Sequence, residues 1–554
     1  MAELRVALGF CAAAVTGFAA AHIAALPPWE GMDEFGHYAY VQHLADGHGL
    51  PHPSDAPLSR DVADYMREAP MPYSVAAGGG LTYRQVFESG ADAVERVRRR
   101  VGAPPATPRR FEAAAGTHNV QAQHPPLYYL LLSPVYAATR AWSWRSQLFV
   151  LRLVSLAFAL SAAAVGIAAA AAWPAGDGGR GGATPWLFMA AGIVAWPVIV
   201  PMWVPEMARL GNDGLCALWV AVSWLFLLRI AAGADRLADH SGLGVALGLG
   251  ALTKAFFIPI SAGVGAYLAW RCYRLARDGR RARPAIVGAL TALALVAAIA
   301  SWWYLRTLAL SGGLVGGTFA EAREAGASWA DLAAKFELWP WLRGVVGIAT
   351  SFVWSGTWSF VRPPAEIRAP LLIVPATMAV LYLLRLRRAR PETPVWLPLF
   401  MVAPMAAGLI YQGLVWIALH GGRPATNGWY LHIFFVPLGA TFAWCARRLW
   451  DSVALRAVVA LGAGYGLAFS AAALALHAAL YAGIAVPGPG AVFAFPGGAD
   501  DMAAAISEVW DRLGALALPR VGAALLAAAG ACLAIGAVLL WRARSAPDRP
   551  NPAG

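Results

Sequence analysis

Residues 285–305 read AIVGALTALALVAAIASWWYL, a run of 21 residues without one charged side chain. The hydrocarbon core of a bilayer is ~30 Å thick, and an α-helix of roughly 20 apolar residues crosses it. The run therefore predicts a membrane-spanning helix whose closing Trp-Trp-Tyr lies in the headgroup layer. Comparable apolar runs occur at 5–26, 148–173, 185–205, 213–231, 241–253, 255–270, 369–385, 394–418, 430–447, 456–481 and 521–541.

The composition of the 554-residue chain agrees with a membrane protein. Hydrophobic residues make up 59% and charged residues 13%, about half the charged share of an average soluble protein. So few charges do not cover a water-soluble surface, and the same numbers exclude intrinsic disorder. We interpret the net charge of +12 as arginine in cytoplasmic loops, and we expect no nucleic-acid partner.

Short arginine-rich loops indicate how the chain is oriented, because positive residues favour the cytoplasmic side. Loop 271–283 contains six arginines, and loop 385–390 contains four. With both loops inside, the count of crossings places the polar segment 27–126 outside. The sequence predicts an all-α polytopic integral membrane protein of about 12 transmembrane helices. Both termini lie inside, and the long first external loop contains interfacial helices.

Several weaker segments leave the topology partly open. The count of crossings requires 125–140 to lie along the interface without crossing, and 341–358 to be interfacial or re-entrant. We interpret 241–270 as two half-length helices. The alternative is one long helix, and 125–140 would then have to cross. The polar stretches 306–340 and 482–520 are predicted as further external segments.

The segment after the first apolar run concentrates ionisable groups at the membrane surface. It reads PPWEGMDEFGHY at 27–38. In a helix that begins here, Asp33 and His37 share a face at i, i+4, Glu34 and His37 share it at i, i+3, and Tyr38 follows. Ionisable groups at this depth are costly unless they are paired or used. The pattern fits a catalytic carboxylate, a metal pair of Glu34 and His37, or a solvated acidic helix start favoured by the helix dipole.

Two further motifs lie on the external side under this topology. His124 closes the first loop in the sequence HPPLYY, where two prolines set a turn and aromatic residues anchor the next segment. Arg209, Asn212 and Asp213 belong to the sequence EMARLGND. Each motif fits either an ordinary loop or one wall of a binding site.

Three more external motifs carry cations and aromatic rings. Lys254, in LTK, fits a snorkelling side chain or a contact to a phosphate. Tyr304 and Arg306 lie in WWYLR, and Arg423 and Tyr430 lie around NGWYLH; an aromatic belt explains such sequences equally well. The convergence of all these motifs on one side favours a site at the outer interface.

Taken in order, these motifs resemble the GT-C glycosyltransferase superfamily. The likeness consists of an acidic pair after the first helix, a long loop ending in HPPLYY, an Arg/Asn-Asp turn and an L-T-K turn. Within the superfamily, the chain looks closest to bacterial relatives of the protein O-mannosyltransferases and the lipid A aminoarabinose transferase. The likeness covers roughly residues 1–310, which we expect to form a GT-C-like transmembrane module. Residues 311–554 are then a variable C-terminal module.

The resemblance implies transfer of a sugar from a polyprenyl-phosphate-linked donor to a hydroxyl acceptor. The acceptor is a lipid-linked molecule, a glycan or a protein, and the reaction takes place on the outer face of a bacterial cytoplasmic membrane. In that family an acidic residue of the first external loop activates the hydroxyl, which points first to Asp33 and second to Glu34.

Cations beside the departing phosphate stabilise its charge, and aromatic rings suit contacts with sugar and lipid. The substrate-binding residues implied in this way are His37, Tyr38, His124, Arg209, Asn212, Asp213, Lys254, Tyr304, Arg306, Arg423 and Tyr430. We expect no cofactor, although a divalent metal held by Glu34 and His37 stays an open alternative.

Two other classes of function compete with a glycosyltransferase. One is a transporter or flippase for a lipid-linked or envelope substrate, and the other is a non-catalytic scaffold or a polymer-ligase-like protein. A transporter is expected to show paired repeats and charges near the bilayer midplane. This chain shows no such repeat and carries most of its acids in the outer loops, which favours the enzyme.

Overall fold

The computed structural model describes residues 2–173, 184–233, 235–315, 329–334, 337–389, 393–420, 427–496 and 499–545. Its α-helices are α1 Ala2–Ala25, α2 Glu34–Ala45, α3 Arg60–Glu68, α4 Tyr73–Ala76, α5 Tyr83–Glu88, α6 Ala91–Gly102, α7 Leu127–Thr139, α8 Trp144–Ala170, α9 Thr184–Ile199, α10 Trp203–Met207, α11 Asp213–Ala231, α12 Leu237–Ala251, α13 Phe257–Arg277, α14 Arg283–Ser311, α15 Trp329–Ala334, α16 Leu338–Val353, α17 Ala365–Arg368, α18 Ile373–Arg388, α19 Leu397–His420, α20 Phe435–Ala446, α21 Val453–Tyr481, α22 Ala499–Leu516 and α23 Pro519–Ser545. Short 3₁₀ helices occupy Val120–Gln123, Ala369–Leu372, Pro394–Trp396, Gly428–Phe434, Arg447–Leu449 and Pro489–Ala491. Strands β1 Val486–Pro487 and β2 Phe493–Ala494 form an antiparallel pair.

Within the described residues, nine helical segments are long and apolar enough to cross a membrane, judged by length and composition. They are Ala2–Ala25, Trp144–Ala170, Asp213–Ala231, Arg283–Ser311, Ala365–Arg388, Pro394–Ile417, Gly428–Leu449, Val453–Tyr481 and Pro519–Arg542. The prediction of an all-α polytopic membrane protein is thereby confirmed. The other three predicted runs correspond to α9, α12 and α13, and the crossing of these helices stays a prediction.

The chain breaks its helix at the L-T-K turn. Helix α12 ends at Ala251 and α13 begins at Phe257, so the alternative of one long helix over 241–270 is wrong. The Phe257 ring lies against Gly250, where a Cβ would come within 2.2 Å of it. Lys254 lies in the turn between the two helices, and its N–H still donates to the Gly250 carbonyl at 3.0 Å. The segments predicted as interfacial correspond to α7 and α16, whose depth in the membrane stays a prediction.

The first external loop is built from helices around an aromatic core. Trp29 makes edge-on contacts with Tyr38, Tyr65 and Trp144 at centroid distances of 5.4, 5.6 and 5.3 Å. Such pairs stabilise a core beyond the area they bury. This core, formed largely by α2–α7 and the start of α8, holds the chain rigidly where it leaves α1.

The first and last helices pack along each other with small residues at the contact. A Cβ on Gly17 of α1 would lie 3.1 Å from the Ala529 Cβ of α23, as close packing of small residues requires. At the end of α1, the Leu518 N–H donates to the Ala24 carbonyl at 2.8 Å. The segment that follows α1 therefore starts from a fixed point. The division into modules 1–310 and 311–554 stays a prediction.

Candidate active site

Asp33 lies in the turn between α1 and α2, immediately before Glu34. Its backbone is left-handed (φ 63°, ψ 9°), a conformation that Asp tolerates better than most residues. Although Asp33 precedes the first turn of α2, its side chain makes no capping hydrogen bond. Among the described residues no hydrogen bond or ion pair engages its carboxylate, which is half-buried. The group is therefore free to accept a proton from a bound molecule.

The surroundings of the Asp33 carboxylate raise its pKa. Burial raises the pKa of Asp33, and the positive charges of Arg209 and Lys254 oppose that rise, while Asp213 adds to it. A carboxylate with a raised pKa is a better general base than an exposed one.

Glu34, the neighbouring acid, is fully engaged. Its carboxylate receives two hydrogen bonds from Arg152, from Nε at 2.8 Å and from Nη2 at 2.6 Å. The backbone N–H groups of Leu210 and Gly31 donate to it at 2.9 and 3.2 Å. Both charged side chains are almost completely inaccessible to solvent. Glu34 therefore holds separate parts of the chain together and presents no free oxygen to a substrate.

Arg152 is a central residue that the sequence interpretation did not single out. Besides Glu34, its guanidinium bonds the carbonyls of Leu26 and Pro27, each at 2.7 Å. It therefore ties α8 to the end of α1. The available signal was an arginine inside the apolar run 148–173, because an ionisable residue within a membrane segment usually has a specific partner or function.

Arg209 organises the turn before α11. Its Nε and Nη2 bond the Glu206 carboxylate at 3.2 and 2.8 Å, and Nη2 also bonds Asp213 at 2.7 Å. Its Nη1 donates to the Met32 carbonyl at 2.8 Å. Burial disfavours the charge of Arg209, but Glu206 and Asp213 outweigh it and raise the Arg209 pKa well above its ordinary value. All three guanidinium nitrogens are engaged. Through its bond to the Met32 carbonyl, Arg209 fixes the backbone immediately before Asp33.

Lys254 is buried beside the same acids but retains unused donors. Its Nζ donates to Asp213 at 2.8 Å. The ammonium also lies over the rings of Phe256 and Tyr430, at 4.3 and 5.0 Å from their centroids. An ammonium has three donors, and one bonds Asp213, so two remain for an anion. Asp33, Arg209, Asp213 and Lys254 form one charged cluster. Lys254 is the cation of this cluster that is best placed to contact a phosphate.

Two neutral histidines, His37 and His124, lie near the same charged residues. The rings of His37 and His124 are nearly parallel with centroids 6.1 Å apart, and His37 Nδ1 shares a hydrogen bond of 2.9 Å with the Tyr129 hydroxyl. Burial lowers the pKa of His37 well below its ordinary value, with Arg209 and His124 adding to the effect. Burial also lowers the pKa of His124 to about 3, mainly with the help of Lys254. Both rings are therefore uncharged at neutral pH.

Asn212 and Tyr304 support the turn that carries Lys254. Asn212 donates to the Thr253 carbonyl at 3.3 Å, while its own side-chain oxygen is buried without a partner among the described residues. The Tyr304 hydroxyl donates to the Ala251 carbonyl at 2.8 Å, at the end of α12. Both side chains therefore bond backbone carbonyls of the segment that leads from α12 to Lys254.

Two predicted binding residues, Tyr38 and Arg306, are not brought into the cluster. Tyr38 points into the aromatic core of the loop, where its hydroxyl donates to Gln147 at 2.9 Å. Arg306 donates to the carbonyls of residues 50 and 51 at 3.1 and 3.0 Å and anchors the loop after α2. Arg423 lies outside the described residues.

A second buried acid, Glu30, joins the two halves of the chain. Its carboxylate accepts hydrogen bonds from the hydroxyls of Tyr83, Thr357 and Ser359 at 2.8, 2.7 and 2.6 Å. Burial raises its pKa, and these hydroxyls oppose the rise. Glu30 belongs to the 27–38 segment, but its hydrogen-bond partners lie far away in the sequence and could not be read from it.

The described residues contain no group of three or more His, Cys, Asp or Glu side chains arranged to hold a metal ion. The pair suggested by its spacing, Glu34 and His37, bonds Arg152 and Tyr129 instead.

No protein-family model matches the chain, and no curated protein matches it either. Among solved structures, it is similar to ArnT from Cupriavidus metallidurans bound to undecaprenyl phosphate, with 14% identity and a TM-score of 0.42. That match covers 96% of this chain and 77% of the other. The apo state of ArnT gives 12% identity and a TM-score of 0.36, over 91% and 75% of the two chains. Both TM-scores and both identities are low.

Proposed function

We propose that this protein is a membrane glycosyltransferase that moves a sugar from a polyprenyl-phosphate-linked donor to a hydroxyl acceptor, with Asp33 as the general base. The observation that carries the proposal is the free, half-buried carboxylate of Asp33 beside the paired charges of Arg209, Asp213 and Lys254. The donor class is the one implied by the likeness of the sequence motifs to GT-C enzymes.

The reaction divides between Asp33 and Lys254. Asp33 takes the proton of the acceptor hydroxyl as its oxygen attacks the anomeric carbon. The bond from that carbon to the phosphate oxygen breaks, and its electron pair leaves on the polyprenyl phosphate. Lys254, with two donors unused by Asp213, stabilises the charge that develops on the leaving oxygen. We infer that Glu34 acts structurally through Arg152 and does not exchange protons with the acceptor.

We infer that the site faces the exterior of a bacterial cytoplasmic membrane. Lys254 lies just before α13, whereas the arginine-rich loop 271–283 begins at the other end of that helix. A helix of 21 residues is about 30 Å long, which is close to the thickness of the hydrocarbon core. Arginines at the far end favour the cytoplasmic side, so the end at Lys254 is then external.

The test is turnover of purified protein in lipid nanodiscs with a panel of radiolabelled short-chain polyprenyl-phosphate sugars. Transfer to an extractable product, with release of polyprenyl phosphate, is expected for at least one sugar. Asp33→Asn is expected to lower the rate about 100-fold or more. Asp55→Asn removes an exposed carboxylate of the same loop and serves as the matched control.

Equal rates for Asp33→Asn and wild type would remove Asp33 from the mechanism. Movement of the labelled lipid between leaflets without formation of a glycosidic bond would instead support the transporter alternative.

A further inference from the structure

A charged cavity of about 410 Å³ lies away from Asp33, where the external loop meets the last two helices. Arg98 of α6, Arg145 of α8 and Arg520 of α23 line it, together with Trp510 and Asp511 of α22. Helix α6 packs against α22, so the cavity sits at the joint between the first loop and the C-terminal helices.

The positive charges of this cavity are poorly compensated. Arg145 bonds the Gly514 carbonyl, and Arg98 has an ion pair with Glu95 at 3.3 Å in which both side chains are half-exposed. Arg520 is exposed and has no hydrogen-bond or ion-pair partner among the described residues. Three guanidinium groups in the described lining face Asp511 and the half-exposed Glu95 that pairs with Arg98, which leaves an excess of one positive charge. Such a site favours an anion.

The cavity lies at the boundary of the membrane-spanning segments. Two candidate spans begin there, Trp144–Ala170 with Arg145 and Pro519–Arg542 with Arg520. A third span, Ala2–Ala25, ends at the same level, because the Leu518 N–H bonds the Ala24 carbonyl. Trp510 is 56% exposed, as is typical of tryptophan in the headgroup layer.

We propose that this cavity binds the phosphate-bearing headgroup of an anionic phospholipid of the surrounding membrane. Guanidinium groups bind phosphate oxygens in a fixed, often bidentate geometry. The depth at the ends of three spans and the exposed tryptophan favour a lipid headgroup over a free anion. Because the arginines come from α6, α8 and α23, the bound headgroup joins the external loop to the helix bundle. The proposal does not depend on the transfer reaction.

The experiment compares lipid binding to the delipidated full-length protein by native mass spectrometry and thermal shift. The probes are phosphatidylglycerol, phosphatidylcholine with the same acyl chains, and inorganic phosphate. The test variant is Arg98→Gln/Arg520→Gln, which changes two exposed side chains. The control, Arg96→Gln/Arg99→Gln, removes two exposed charges from α6 outside the cavity.

Wild type is expected to bind phosphatidylglycerol in preference to phosphatidylcholine. The test variant is expected to bind it about 30-fold more weakly, and the control as wild type does. Asp511→Asn, which removes the opposing acid, is expected to strengthen binding, and this gain is independent of any folding loss in the test variant.

Equal binding of the two lipids, equal binding by wild type and test variant, or an unchanged affinity in Asp511→Asn would each overturn the proposal. So would a thermal shift that inorganic phosphate reproduces in full, because the site would then select a free anion.

Discussion

Replacement of Glu34 by glutamine separates the roles of two adjacent acids. Glu34 accepts four hydrogen bonds, two of them from the buried Arg152. The amide in Glu34→Gln retains an acceptor oxygen but leaves the Arg152 charge unpaired, apart from its bonds to two backbone carbonyls. Breaking a buried ion pair costs about 3–5 kcal/mol, and the retained carbonyl bonds favour a value of about 3 kcal/mol. This changes the folding equilibrium by roughly 150-fold.

The assay pairs a stability measurement with turnover. Denaturation in mixed micelles is followed for wild type, Glu34→Gln, Arg152→Met and the double variant. Each single change is expected to destabilise the protein, and the double variant is expected to lose less than the sum, because no charge remains buried without a partner. The folded fraction of Glu34→Gln is expected to keep its rate per molecule within about tenfold of wild type.

Asp33→Asn gives the opposite pattern. Its carboxylate has no hydrogen-bond partner to lose among the described residues, so stability is expected to be unchanged while turnover falls. The reasoning is refuted if Glu34→Gln unfolds as wild type does and loses turnover, since Glu34 would then be the base. It is refuted equally if Asp33→Asn is the destabilised variant.

Three further predictions concern the same region. Burial raises the pKa of Asp33, and only the ionised carboxylate accepts a proton. We therefore expect kcat/KM to fall on acidification with an apparent pKa above about 4. A pH profile that is flat down to about pH 4 would contradict the assignment of Asp33 as the base. Lys254→Met is expected to lower kcat/KM for the donor about 100-fold, whereas Arg306→Gln, which changes a loop anchor, lowers it much less; equal losses in steady-state kinetics would contradict the role of Lys254. Glu30→Ala leaves three buried hydroxyls without their acceptor and is expected to cost about 3 kcal/mol in the same micelle denaturation, which an unchanged midpoint would exclude.

The helical architecture was readable from local sequence. Runs such as 285–305 predict spanning helices because backbone polar groups in lipid must be satisfied within the segment itself. The structure contains α14 at this place, and it contains two helices over 241–270, as the interruption at Lys254 indicates. The clustering of acids, cations and aromatic rings near the end of α1 was also predicted, because all of these motifs fall on one side under a single topology.

Which of those side chains are paired and which are free was decided by the tertiary structure. Asp33 and Glu34 are neighbours in the sequence. The resemblance to GT-C enzymes favours Asp33, but the sequence does not show that Glu34 is paired, because its partner Arg152 lies 118 positions further on. Tyr38, one residue after His37, turns into the aromatic core instead of the site. A crossing helix is determined locally, since its hydrogen bonds close within four residues. The partner of a buried charge is determined by which distant segments the fold brings within about 3 Å, and that geometry leaves one carboxylate occupied and the other free.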